Sequence, residues 1–204
     1  MVTAHVSQTP RAGRFRWRVV DIVIAAVLGV AAGVIFWAWG LAWTPLSNLL
    51  VVIAPLSGLL AGVWLFAGVI GGLVVRKPGA AVFTEIVAAT VEMAIGSQFG
   101  FSNLIWGLAQ GLGAEVILLL FLYRKWGVAV AVLAGAASGL VCGLMDTTFT
   151  DSAAWSAAWK SLYTACTIVS GAVLGGLLSW VAVRALARTG ALNRFAAGRS
   201  REAI

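Results

Sequence analysis

Read for its apolar and polar positions, the chain divides into six long apolar runs separated by short polar or basic interruptions. Residues 1–18 are polar and basic, with Arg11, Arg14, Arg16 and Arg18, and the first run follows over 19–42. That run is long and rich in Trp, and no Ala-x-Ala-like cleavage site stands out. It therefore predicts a retained first helix rather than a signal peptide. A short connection at 43–47, containing Trp43 and Pro45, leads to a second run over 48–75 that ends at Arg76-Lys77-Pro78. This run exceeds one untilted span. A kink at Pro55 and Gly58, or a start lying flat at the interface, accommodates the excess. The third run covers 79–97, the fourth 102–123, the fifth 126–147 and the sixth 155–187, with a polar loop from Thr147 to Ser152 before the last. A membrane span needs roughly 20 apolar residues. The runs are continuous and do not alternate over about 10 residues, which argues against a transmembrane β-barrel.

Composition narrows the class. Hydrophobic residues make up 61% of the chain and charged residues 10%, with a mean hydropathy of +1.00, against about half and a quarter in soluble domains. A soluble globular domain and a disordered chain are both excluded. The expected architecture is an all-α integral membrane protein, one bundle of six transmembrane helices over 19–188, with basic tails at 1–18 and 189–204. The net charge is +7, from fourteen Lys and Arg against seven Asp and Glu. The basic clusters at 11–18, 76–77, 124–125 and 184–201 fall on one side of six spans, so the positive-inside rule places both termini in the cytoplasm. The charge therefore speaks for topology and lipid headgroups, not nucleic acid. The two cysteines, Cys142 and Cys166, lie in apolar runs and read as small buried hydrophobes. His5, the single histidine, lies in the N-terminal tail, which removes triad chemistry, HExxH metalloproteases and His-based metal sites. Neither a metal nor a cofactor is expected, and the chain does not read as an enzyme.

Ionisable groups inside a span are costly and mark function by default. Glu85 and Glu92 in the third run, Glu115 in the fourth and Asp146 at the end of the fifth are the candidates. Asp21, near the end of the first run, is either solvated or paired with nearby arginines. Glu85 and Glu92 are seven apart and share one helix face, with Glu92 about one turn below Gln98. Asn103, Trp106 and Gln110 form a second face at i, i+3, i+7. Asn48 opens the second run, and Trp39 and Trp43 stack at i, i+4 in and just past the first. Carboxylate, amide and indole groups thus converge in the outer half, the usual make-up of a small-ligand pocket, where Trp faces also attract cations. Two alternatives stand beside this reading. Glu85 and Glu115 can serve as helix-bridging hydrogen-bond groups, and Trp37, Trp39, Trp43, Trp155 and Trp159 can form an interfacial belt. Small residues spaced by four, including Ala25, Gly29 and Gly33, let helices approach closely, either within the bundle or against a partner.

Three blocks resemble the YkoE family. They are Arg76-Lys77-Pro78-Gly79-Ala80-Ala81 with Glu85, Ala88-Ala89, Glu92 and Gly96; Gln110-Gly111-Leu112-Gly113-Ala114-Glu115; and Ser170-Gly171-Ala172 with Gly175 and Leu177, followed by Thr189-Gly190 and Leu192-Asn193. The resemblance spans nearly the whole chain. It implies a substrate-binding S component of an energy-coupling factor (ECF) transporter, a six-helix bundle that captures thiamin or its hydroxymethylpyrimidine precursor. It also implies partners, a transmembrane coupling (T) subunit and ATP-binding cassette ATPases, with the Ala25–Gly29–Gly33 line at the position where S components dock on the T subunit. No Walker A sequence is present, in keeping with ATPases on separate chains. Glu85, Glu92, Gln110 and Glu115 lie inside the matching blocks. Trp39, Trp43, Asn48, Gln98, Asn103, Trp106 and Asp146 rest on placement alone, and no block matches the outer ends of the first two helices. An aminopyrimidine pairs an acceptor nitrogen with an amino donor, which a carboxyl or amide such as Glu92, Gln98 or Gln110 can meet, and a thiazolium suits a carboxylate or Trp face. The rival reading is an independent secondary transporter or channel for a small aromatic or cationic solute, for which Glu85 and Glu115 would extend a polar path inward. No inverted repeat supports it. An intramembrane enzyme or a purely structural subunit has no constellation of residues behind it.

Overall fold

The structure, a computed structural model, describes residues 15–189. His5, Arg11, Arg14, Gly190 and the Leu192-Asn193 pair lie outside the described residues, as do most of both basic tails. Among the described residues the chain is helical throughout, with no strand. The helices are α1 (Val19–Leu49), α2 (Val51–Val75), α3 (Ala80–Ile95), α4 (Ser102–Leu120), α5 (Val128–Phe149) and α6 (Ala157–Arg188), and a 3-10 turn (Asp151–Ala154) joins the last two. All but α3 are long and apolar enough to cross a membrane. With 16 residues, α3 spans about 24 Å, short of the roughly 30 Å hydrocarbon core.

Side-chain chemistry explains the departures from the expected boundaries. The connection expected at 43–47 is helical: α1 runs 31 residues through Pro45 to Leu49. Proline removes one N–H and crowds the carbonyl four residues back, and here a single further turn follows it before the chain reverses at Leu50. Asn48 consequently closes α1 and does not open the next helix. The expected break in α2 is present as a kink at Ile53 and a change of winding. Val51–Leu65 is wound as a 3-10 helix, with Ile53 out of helical geometry just before Pro55, and Phe66–Val75 as an α-helix. Side chains from its neighbours hold this winding. Ser170 Oγ donates to the Leu59 carbonyl at 2.5 Å and accepts from the Gly62 amide at 3.0 Å, the pair that one 3-10 turn would join. Trp39 Nε1 takes the Leu60 carbonyl at 3.0 Å. The facing stretch of α6, Gly171–Leu177, is widened into a π-helix.

Neighbours in space run α1, α3, α4, α5, α6, α2 and back to α1. The second half of α2 is the exception to a simple ring. Every residue from Ala67 to Val75 is buried, and Val69, Leu73 and Val74 pack with Ala81, Leu118, Val130, Ala131 and Val183 into the main core. One end of the bundle is thereby filled. That end also carries the basic residues: Arg18 pairs with Asp21 at 3.2 Å, Lys77 Nζ pairs with Asp21, and Arg76 lies over the Trp126 ring at 5.4 Å. Asp21 is thus buried and ion-paired, with Lys77 a partner that sequence had not singled out. The exterior of the bundle is apolar, as in the valines of α1 at 23, 27, 30 and 34. No water meets the backbone in a bilayer core, so this surface suits lipid. These features describe a multi-pass membrane protein.

Candidate functional site

The cavity opens at the end opposite the basic residues, because there the 3-10 half of α2 leans on α6 and leaves the centre empty. α3 sets its rim by ending early. Gly96, at φ +104°, terminates it in a left-handed turn with Ser97 N bonded to the Glu92 carbonyl and Gly96 N to that of Met93, a Schellman closure that favours glycine. The same turn brings Ser97 Oγ to 3.3 Å from Glu92 Oε1. The Glu92 side chain is 2% exposed and its Oε1 also accepts from Trp64 Nε1 at 3.1 Å. Two turns below, Glu85 is 1% exposed; Oε2 accepts from the Gly68 amide, while Oε1 has no partner.

The opposite wall comes from α4, α5 and α6. Asn103, Trp106 and Gln110 share the inward face of α4, as their spacing predicts. The Asn103 side chain is buried and meets the Glu92 carboxylate. Asp146 gathers three donors: Trp106 Nε1 at 2.7 Å, Tyr163 Oη at 2.7 Å and Cys142 Sγ at 3.3 Å. Trp43, Trp64 and Phe99 make edge-to-face contacts at 5.3 and 5.8 Å on one side, and Trp155 meets Tyr163 at 5.6 Å on the other. The enclosed volume is about 670 Å³, within the range for small-molecule sites. Its walls carry Glu85, Glu92, Asp146 and Asp151 but no Lys, Arg or His. The chemistry is that of an acidic, aromatic box for a cation or an electron-poor ring. Among the described residues no group of three or more His, Cys, Asp and Glu is placed to hold a metal ion.

Seven of the expected site residues line this cavity: Trp43, Glu85, Glu92, Asn103, Trp106, Gln110 and Asp146. Four lie off its wall. Trp39 bonds the α2 backbone. Gln98 bridges the α3–α4 turn to α1, donating to the Gly40 carbonyl at 2.9 Å and accepting from Thr44 Oγ1 at 3.2 Å. Asn48 is exposed on the last turn of α1. Glu115 sits at the filled end and caps α3, accepting from the amides of Gly79 at 2.7 Å and Ala81 at 2.9 Å and from Tyr123 Oη at 2.7 Å. A carboxylate there meets free N–H groups and the positive end of the helix dipole. Burial, then the Glu115 carboxylate, raise the Tyr123 phenol above its ordinary pKa, so it remains a donor. The Ala25–Gly29–Gly33 line is also placed differently from the expectation. It faces α3 inside the bundle. A Cβ on Gly29 would come within 2.7 Å of Val87 Cβ, and one on Gly33 within 2.6 Å of the Ala88 carbonyl, so these residues present no surface to a partner.

Sequence reasoning passed over Trp64, Tyr163 and the wall position of Cys142. Trp64 had a readable signal, since it stands mid-run, too deep for an interfacial belt. Trp159 and Tyr163 are spaced by four on α6, and Trp155, just before its start, packs on both rings. Nothing in the sequence singled out Cys142.

Comparison with known proteins places the fold among transporter subunits. The structure is similar to one described as the crystal structure of an S-component of ECF transporter, with a TM-score of 0.86 and 32% identity, covering 92% of this chain and 94% of that one. A family model described as "ABC-type cobalt transport system, permease component" matches residues 20–141. The chain is 34% identical over 188 residues, 90% of its length and 91% of the relative's, to "Putative HMP/thiamine permease protein YkoE" of Bacillus subtilis (strain 168). The chain belongs to the YkoE family of ECF-transporter S components.

Proposed function

We propose that this chain captures thiamin or its hydroxymethylpyrimidine precursor at the outer face of the membrane, for ATP-driven uptake with a T subunit and ATP-binding cassette ATPases. Both termini lie in the cytoplasm in this reading, so the cavity faces outward. One observation carries it: a cavity walled by carboxylates and indoles, free of basic side chains, in which Glu85 Oε1 is buried without a hydrogen-bond partner. Buried polar atoms are nearly always satisfied, so the Glu85 carboxylate is open to a ligand's donor. The amino group of an aminopyrimidine supplies that donor, and a thiazolium supplies the charge that the acidic wall and the Trp faces favour. The printed name of the Bacillus subtilis relative points the same way.

The description of the matched family model raises cobalt as cargo. The wall favours the organic ligand, because its carboxylates are separately engaged by Trp64, Gly68 and the Trp106–Tyr163 pair. A continuous secondary-transport path is disfavoured because Glu115 caps α3 and the core of α2 fills the far end.

Thermal unfolding of the purified protein in detergent tests the reading, with thiamin, hydroxymethylpyrimidine, the thiazole alcohol, riboflavin, biotin and Co²⁺ added separately. A ligand that binds the folded state alone stabilises it by about 2.7 kcal/mol at 100 times its Kd. The expected result is a raised midpoint with thiamin or the pyrimidine, lost in Glu92→Ala. A rise with riboflavin, biotin or Co²⁺ alone overturns the substrate.

A further inference from the structure

The 3-10 half of α2 is the part of the cavity wall least able to hold itself. A 3-10 helix has poorer hydrogen-bond geometry than an α-helix, and runs longer than about four residues are uncommon, yet this one covers Val51–Leu65. Its middle is held from outside. The buried Ser170 hydroxyl on α6 donates to the Leu59 carbonyl and accepts from the Gly62 amide. One hydroxyl thus sits between the two groups that a 3-10 turn would join. Gly62 admits it, because a Cβ there would lie 2.3 Å from Ser170 Oγ. From the other side, Trp39 Nε1 on α1 donates to the Leu60 carbonyl at 3.0 Å. Neither Ser170 nor Trp39 lines the cavity, but Ala61 and Trp64, inside and just beyond the turn they hold, do. Successive residues turn by about 120° in a 3-10 helix and about 100° in an α-helix. From Ala61 to Trp64, relaxation to α winding would therefore swing the indole by about 60° and draw it back by about 1.5 Å along the axis. That indole brings Nε1 to 3.1 Å from Glu92 Oε1 and packs edge-to-face on Trp43 and Phe99.

We infer that Ser170 and Trp39 are positioning residues of the ligand cavity: they clamp the Leu59–Gly62 turn of α2 in 3-10 winding, and this winding holds the Trp64 indole against Glu92 as a preformed wall. The inference rests on the ligand site proposed above and adds to it two residues that touch no ligand. A second serine of α6 supplies the contrast. Ser179, also buried, donates to the Phe66 carbonyl at 3.3 Å, but Phe66 opens the α-helical half of α2. A hydroxyl that only fastens α6 to α2 behaves as Ser179 does, whereas one that shapes the wall changes ligand affinity.

Isothermal titration of the detergent-purified chain with thiamin and hydroxymethylpyrimidine tests the clamp, alongside amide hydrogen exchange over residues 59–65. In Ser170→Ala and in Trp39→Phe, the compound that binds the wild-type chain is expected to bind about tenfold more weakly, the worth of one good hydrogen bond, with faster exchange confined to that segment. In Ser179→Ala the unfolding midpoint falls and the affinity holds. Trp64→Phe removes the indole N–H through which the clamp acts, so Ser170→Ala adds no further loss in that background. Should Ser170→Ala not fold, Trp39→Phe alone and combined with Trp64→Phe gives the same comparison. Equal losses of affinity in Ser170→Ala and Ser179→Ala, additive losses in the Trp64→Phe background, or unchanged affinity in a clamp variant that folds each overturn the inference and leave the proposed function standing. Absence of binding by either compound to folded wild-type protein removes the function, and the inference with it.

Discussion

Glu85, Glu92 and Glu115 look alike along the sequence, each a lone acid in an apolar run, and they end in three different circumstances. Glu92 is held by an indole and a hydroxyl at the cavity wall, Glu85 is half-satisfied at its floor, and Glu115 is fully engaged at the other end of the bundle as the cap of α3. Sequence identified all three as costly and therefore purposeful. It could not sort them, because the sorting depends on which amides happen to end nearby. Glu115→Ala strands the first amides of α3 and the Tyr123 hydroxyl in a buried setting, where each unmet polar group costs about 1–3 kcal/mol. The expected outcome is a loss of about 2 kcal/mol or more in thermal unfolding of the purified protein, with the midpoint shift on adding thiamin preserved. A ligand shift abolished in a variant that still folds would place Glu115 at the site instead.

At the scale of the element, spacing by four identified close packing along α1 and left its partner open. Gly29 and Gly33 are pressed to α3, where Val87, Ala88 and Val91 occupy the space that a side chain would need. Overpacking a tight contact costs about 1–3 kcal/mol. Gly33→Leu is therefore expected to lower the unfolding midpoint of the isolated subunit. An unchanged midpoint, with failure only of assembly with other subunits, would return the line to a docking role. The boundaries of α1 and α2 were the least legible, for a local reason. Pro45 and Pro55 both read as breaks. α1 continues past Pro45, whereas α2 meets Pro55 by tightening its winding, with Ser170 and Trp39 taking backbone groups of that segment. Those partners are more than 20 residues away in the chain.

For the whole molecule, the described arginines gather at one end and the acidic, aromatic cavity lies at the other. In the proposed reading, the positive-inside rule orients the site outward. Thr150→Cys, at the cavity rim, is expected to react with a membrane-impermeant maleimide in intact cells. Lys125→Cys, at the basic end, is expected to react only after permeabilisation. The wild-type chain, whose own cysteines are buried, is the blank. The opposite labelling pattern would invert the topology and turn the cavity toward the cytoplasm.

By itself the sequence determined the class: a helical membrane protein with six apolar segments, basic residues on one side, and a few polar groups too expensive to be accidental. It determined these because hydropathy, helix period and charge asymmetry are properties of contiguous residues. The tertiary structure alone decided which acids face the cavity, that Trp64 and Tyr163 complete its walls, that the glycine line of α1 is internal, and that the cavity lies at one end only. Each of these depends on the second half of α2 running through the centre of the bundle while its first half leans outward onto α6. No short-range pattern encodes that choice, because it follows from the packing of segments far apart in the chain.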